Sequence, residues 1–149
     1  MPTPRSRAQR RRDTEHRLTH DIDVWVASAS ADAAPYLVPL SFDWDGEGLL
    51  VATPTDSPTG RNLAATRAVR LGLGYTRDVS IIEGEVEVLE IDALPQERGY
   101  RFAARTAFDP RALATPYRWF HISPRRIQAW REVNELPDRE LMRDGRWLV

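Results

Sequence analysis

The chain has 149 residues, a formal net charge of −1, 42% hydrophobic residues and no cysteine, a size at which one domain buries about 68 to 70% of its unfolded surface around a single core. Without thiols there is no disulfide framework, thiolate metal site or cysteine nucleophile, and a reducing cytoplasm is the expected setting. No run nears about 18 apolar residues, and the N-terminal arginines lack the apolar segment of a secretory signal, so no membrane association is expected.

All 21 basic side chains are arginine, which excludes Schiff-base chemistry and a lysine general base. Arg5, Arg7, Arg10, Arg11 and Arg12 give the first 12 residues a charge of +5, leaving −6 for the rest as the difference from −1. The composition predicts a disordered basic tail over residues 1–12, followed by a single domain over 13–149. A short amphipathic helix is expected around 13–20. His16 and His20 stand four apart on it with Asp13 nearby, a spacing open to metal, but a solvated helix face is the expectation and no metal site is assigned.

A first strand then alternates Ile22, Val24 and Val26 with Asp23 and Trp25. After a turn at 31–34, Tyr36, Val38, Leu40, Phe42 and Trp44 share one face of a second strand, opposite Leu37, Pro39, Ser41 and Asp43. Asp45-Gly46 is a hairpin signal that returns the chain into a strand over 49–53.

That third strand runs into Thr53-Pro-Thr-Asp-Ser-Pro-Thr-Gly-Arg-Asn62. Hydroxyls at Ser57 and Thr59, the forked cation of Arg61 and the amides of a starting helix are the donors that hold phosphate. A second hairpin follows, with Val69, Leu71, Leu73 and Tyr75 on one face and Gly72 and Gly74 on the other. Its return strand places Glu83, Glu85 and Glu87 on a water-facing side. A helix is predicted over 94–106, a strand over 117–122, a further strand from Arg125 to Glu132 after Pro124, and a final hairpin at Asp144-Gly145. Six or more antiparallel strands with two or three flanking helices imply a closed or nearly closed barrel, which leaves no exposed sheet edge.

In the order of its segments the chain resembles the pyridoxamine 5'-phosphate oxidase-like split-barrel family and its deazaflavin-using relatives. The resemblance covers roughly residues 13–133. It rests on Trp25-Val-Ala-Ser28, Pro35-Tyr-Leu-Val-Pro-Leu-Ser-Phe-Asp-Trp-Asp-Gly46, Ala52 to Leu63, Val69-Arg-Leu71 and Arg77 to Gly84. It implies a mainly β, six-stranded antiparallel split barrel of Greek-key type, paired as a homodimer with FMN, or alternatively F420, in the cleft between subunits.

Carried over by residue, the resemblance puts the backbone of Val38, Pro39 and Leu40 along the ring edge, with Ser41 facing the site. It gives the phosphate to Thr53, Ser57, Thr59 and Arg61, with Asn62 on ribityl or phosphate oxygens, and lets Trp130 reach the flavin across the dimer. Hydride transfer to a small organic substrate belongs to the cofactor, so an acid-base residue is optional; Tyr36, Ser41 and His121 are the candidates for proton donation. The lack of lysine departs from the oxidases that process pyridoxamine phosphate. Two other classes stay open at this point: a non-catalytic flavin-binding or sequestering protein, and a nucleic-acid-associated protein using the arginine arm, although the arm has no aromatic residue to stack on bases and a nucleic-acid partner is not expected.

Overall fold

Period-two alternation dictates the architecture, because strands with one apolar face must curl around that face. In the computed structural model, which describes all 149 residues, β1 (Asp23–Ala29), β2 (Pro35–Trp44), β3 (Leu49–Pro54), β4 (Ala68–Tyr75), β5 (Asp78–Glu90) and β6 (Tyr117–Trp130) form an antiparallel barrel. Its order is β3-β2-β1-β4-β5-β6, closed by pairing of β3 with β6. The fourth strand returns beside the first, which is the Greek-key connection. Three helices flank the barrel: α1 (Arg7–His20), α2 (Pro58–Thr66) and α3 (Gln96–Thr106), and a short hairpin of β7 (Glu140–Arg143) and β8 (Arg146–Trp147) extends from β6. No helix is long and apolar enough to cross a membrane.

The inward faces supply one core cluster that includes Val24, Val26, Phe42, Leu49, Val51, Leu71, Ile82, Phe120 and Ile122, with Leu18 of α1 packed into it. A second cluster lies on the outer wall, where Leu50, Ala52 and Trp119 meet Leu94 and Phe102 beneath α3. At the β2–β3 turn, the Asp45 carboxylate accepts hydrogen bonds from the amides of Glu47 at 2.8 Å and Gly48 at 2.7 Å. Gly46 takes φ of +94° there, a value that a side chain would strain.

The barrel is split at one seam. β2 pairs with β3 over only three positions, Phe42↔Val51 to Trp44↔Leu49, while β3 stays with β6 over six. From Ser41 back to Pro35, β2 therefore has β1 on one edge and no strand on the other. Pro39, which has no N–H to donate, sits in this stretch, a position proline tolerates because no partner strand is left without a donor.

Two sequence expectations need correction. The first 12 residues do not form a disordered tail: α1 starts at Arg7, six positions ahead of the expected helix, with Ser6 as its N-cap accepting from the Gln9 amide. The cause is long-range charge pairing. Arg5 holds Glu135 at 2.8 Å and Asp13 at 2.8 Å, and Arg10, 4% exposed, donates to the carbonyls of Ala129 at 3.1 Å and Glu135 at 2.9 Å. Arg7 donates to the Glu140 carbonyl at 2.6 Å, and Arg11 lies over the Trp147 ring at 4.4 Å. The second correction concerns Pro124, which does not separate two strands. β6 runs through it, because the register shift at Glu83/Gly84, where Gly84 pairs with Pro124 and Glu83 with Arg126, bulges out Arg125 and absorbs the missing donor.

Candidate cofactor cleft

A cavity of about 230 Å³ opens beside the unpaired edge of β2, walled by Pro39, Leu40, Ser41, Ala52, Thr53, Pro54, Phe102, Phe108 and Tyr117. Four of the residues expected at the cofactor are thus brought together: Pro39, Leu40, Ser41 and Thr53. The main chain of this edge is the notable part of the wall. Backbone polar groups without a strand partner need another one, and here they border the cavity.

The phosphate turn divides into structural and available groups. Ser57 caps α2: its hydroxyl accepts from the Gly60 amide at 3.0 Å and donates to the Pro54 carbonyl at 2.8 Å. Gly60 lies so close to the end of β3 that an added Cβ would stand 3.0 Å from the Thr55 carbonyl oxygen and closer still to that of Pro54, so the turn is tightly folded on itself. Thr59 is buried, and Asn62, also buried, donates to Ser28 on β1 at 3.1 Å. Thr53 shares a 3.2 Å contact with Ser57 while lining the cavity. Arg61 is exposed and touches only the Asp56 carbonyl, with no carboxylate in reach. Of the five residues expected at the phosphate, Thr53, itself buried, lines the cavity, and Arg61 is exposed.

The side chain of Val38 packs against the main core, as that of Leu40 does, while its main chain belongs to the same unpaired edge of β2. Trp130, half-buried at the far end of β6, lies under the Arg139 guanidinium at 5.9 Å. Of the proton-donor candidates, Ser41 lines the cavity and donates to Asp23 at 2.8 Å, and Tyr36 is 41% exposed near the start of β2. His121 is held by Asp45 at 2.9 Å, outside the cavity wall. Burial pushes the Asp45 carboxyl up, but the Gly48 and Glu47 amides and His121 outweigh it and hold the group below its usual range. His16 and His20 stack at 4.1 Å, and no group of three His, Cys, Asp or Glu side chains gathers as metal ligands.

The sequence reading missed Phe102, Phe108 and Tyr117. Phe108 and Tyr117 meet at 5.6 Å between ring centroids, and Phe102 meets Trp119 edge-on at 5.1 Å. Nothing local marks these rings as cleft residues: they reach the cavity only because β6 pairs with β3 and α3 folds over the outer wall.

A family model described as pyridoxamine 5'-phosphate oxidase matches residues 16–131. Among curated proteins, none matches. Among solved structures, an F420 reductase is similar at 21% identity and a TM-score of 0.61, covering 76% of this chain and 94% of that one. A putative pyridoxamine 5'-phosphate oxidase from Listeria innocua is similar at 16% identity and a TM-score of 0.65, covering 81% and 98%. A protein related to general stress protein 26, of the pyridoxinephosphate oxidase family, from Clostridium acetobutylicum, is similar at 11% identity and a TM-score of 0.65, covering 87% and 92%.

Proposed function

The chain belongs to the pyridoxamine 5'-phosphate oxidase family, and we propose that it is a homodimeric flavin- or deazaflavin-dependent oxidoreductase that holds FMN in the cleft beside β2, with F420 as the alternative cofactor. One observation carries this reading: the stretch from Pro35 to Ser41 has no strand on its outer edge, and that edge borders a cavity reached also by Thr53. Main-chain groups there are in place to bond the polar rim of a planar ring. In this reading Thr53 and the start of α2 would meet the phosphate, with Arg61 of α2, which no carboxylate neutralises, as the candidate cation.

When bound, a flavin or deazaflavin supplies hydride chemistry at its N5. The chain's own part is to orient the ring along β2 and to offer a hydroxyl at Ser41. The dimer part of the proposal is supported by the outer face of β1 and β2, where Trp25 is 51% and Leu37 60% exposed. Trp25 pairs with Pro39 and Ala27 with Leu37 in register, so these side chains form one apolar stripe of the kind that marks an interface. Pro39 belongs to both stripe and cavity wall, and a second copy on the stripe would complete the cleft.

The test is direct. Purified protein should quench FMN fluorescence, run as a dimer in light scattering, and carry FMN or F420 identifiable by the absorbance and mass of the copurifying molecule. A monomer that leaves FMN fluorescence untouched and carries neither molecule would overturn the assignment.

A further inference from the structure

We propose that the end of the cavity walled by Phe102, Phe108 and Tyr117 takes an uncharged, flat and largely apolar ring as substrate and turns away phosphate esters. This rests on the reading of the cleft as a cofactor site and concerns the part of the wall supplied by α3, the segment after it and the start of β6.

The composition of that wall makes the first argument. Of the nine residues around the whole cavity, only Ser41, Thr53 and Tyr117 carry a polar side-chain group, and none is ionic. Its rings are fixed in place: Phe102 is fully buried edge-on to Trp119, whose indole N–H donates to the Ile91 carbonyl at 3.0 Å. Phe108 and Tyr117, half-buried, tilt 57° to each other with their centroids 5.6 Å apart. Rings set in this way gain by stacking or edge contact with another ring.

The second argument comes from the cations. The chain has no lysine, and every arginine in the segments that build this wall already has a carboxylate. Arg98 pairs with Asp45 at 3.1 Å, and Arg101 and Arg105 with Asp43 at 3.7 and 3.4 Å. Arg111 pairs with Asp109 at 2.9 Å and Arg118 with Glu90 at 3.0 Å. Arg105 is tied further by the Leu18 carbonyl at 2.6 Å and by stacking on Phe42 at 4.8 Å. The nearest histidine on β6, His121, is held by Asp45. An anion entering this end would lose its hydration and find no free positive charge, which is strongly unfavourable. The cavity wall is therefore neutral and largely apolar, and the arginines around it are already paired.

The inference is tested with a matched pair of probes, 1,4-naphthoquinone and 1,4-naphthoquinone-2-sulfonate, which share a ring and differ by one negative charge. Equilibrium dialysis against FMN-loaded protein should show the neutral quinone binding at least tenfold more tightly than the sulfonate. Phe108→Arg should lower that ratio at least tenfold by adding a free cation to the wall, with thermal unfolding reporting that the variant is folded. Similar affinities of the two probes for the unaltered protein would overturn the inference without any variant, as would an unchanged ratio in folded Phe108→Arg. The same dialysis on cofactor-free protein separates this result from the cofactor assignment: if FMN fails to bind but the quinone preference persists, the cofactor reading fails and the neutral wall stands.

Discussion

Two regions of the molecule use their polar groups in opposite ways. Where α1 meets the turn before β7, charged groups are mostly committed within the fold: Arg5 touches Asp13, Asp78 and Glu135, and buried Arg10 donates to backbone carbonyls. At the split between β2 and β3, main-chain groups lack a strand partner and Arg61 lacks a carboxylate. Polar groups committed to one another lock a fold and have little left for a ligand; groups without a protein partner beside a cavity are the natural place for binding. The arginine-rich arm, which its charge made the obvious candidate for an external partner, is thereby the less available of the two.

The largest expected effect lies in the locked region. Glu135 is 2% exposed, and replacing it with Ala removes the two-oxygen partner of Arg5, leaves it only Asp13 and Asp78, and orphans the Arg5 and Arg131 amides that donate to the Glu135 carboxylate. Removing one partner of a buried pair costs about 3 to 5 kcal/mol, so Glu135→Ala should lower the urea unfolding free energy by that amount. A loss under about 1 kcal/mol would mean the arm is only loosely docked and the contrast between the regions collapses.

Acid should act at the same point. The hydrogen bond from Arg5 is the largest cause holding the Glu135 carboxyl down, to about 2 from an ordinary 4.5, against the opposing effect of burial. A folded-state value below the unfolded one means that the stabilisation is fully present above about pH 4.5 and is lost as the pH falls through about 2. The share at stake is on the order of 2 to 3 kcal/mol. Unfolding free energies measured from pH 5 to 2 should fall in the native protein and fall less steeply in Glu135→Gln; parallel slopes would remove Glu135 as the cause.

Much of the barrel was legible in the chain itself. Asp45-Gly46 announced the hairpin because the turn needs the positive φ that Gly46 adopts, and the alternation of Val69 to Tyr75 and Ile82 to Val88 announced β4 and β5. Pro39, Leu40, Ser41 and Thr53 of the cleft were reached through the order of segments. Illegible were features made by distant partners. Glu135 lies 130 residues from Arg5, so no local pattern shows that the arm is docked, and Phe108 meets the cavity only after β6 closes on β3. Ser57 illustrates a subtler limit: a hydroxyl before a helix reads equally as phosphate donor or N-cap, and the fold uses it as the cap.

At the open region the expected effect is smaller and falls on binding. Arg61→Ala should weaken FMN binding at least tenfold, about 1.4 kcal/mol, while changing the unfolding free energy by less than about 0.5 kcal/mol, as for an exposed side chain with one backbone contact. Fluorescence titration and urea unfolding on one preparation give both numbers. A stability loss without an affinity loss would place Arg61 with the locked groups.

Arg12 supplies the smallest effect and the sharpest internal comparison. It belongs to the same basic run as Arg5 and Arg10, but its guanidinium reaches only Gln9 of its own helix, at 2.7 Å, in the open. If tertiary pairing and not charge density is what the arm contributes, Arg12→Ala should alter stability by less than about 0.5 kcal/mol, although it removes the same formal charge as Arg5→Ala. The identical change in net charge cancels any general electrostatic effect between these two variants, so the gap in their unfolding free energies isolates the contacts of Arg5. A loss for Arg12→Ala comparable to that for Arg5→Ala would show that the arm acts through its summed field on the −6 body, and salt would then erase both losses together.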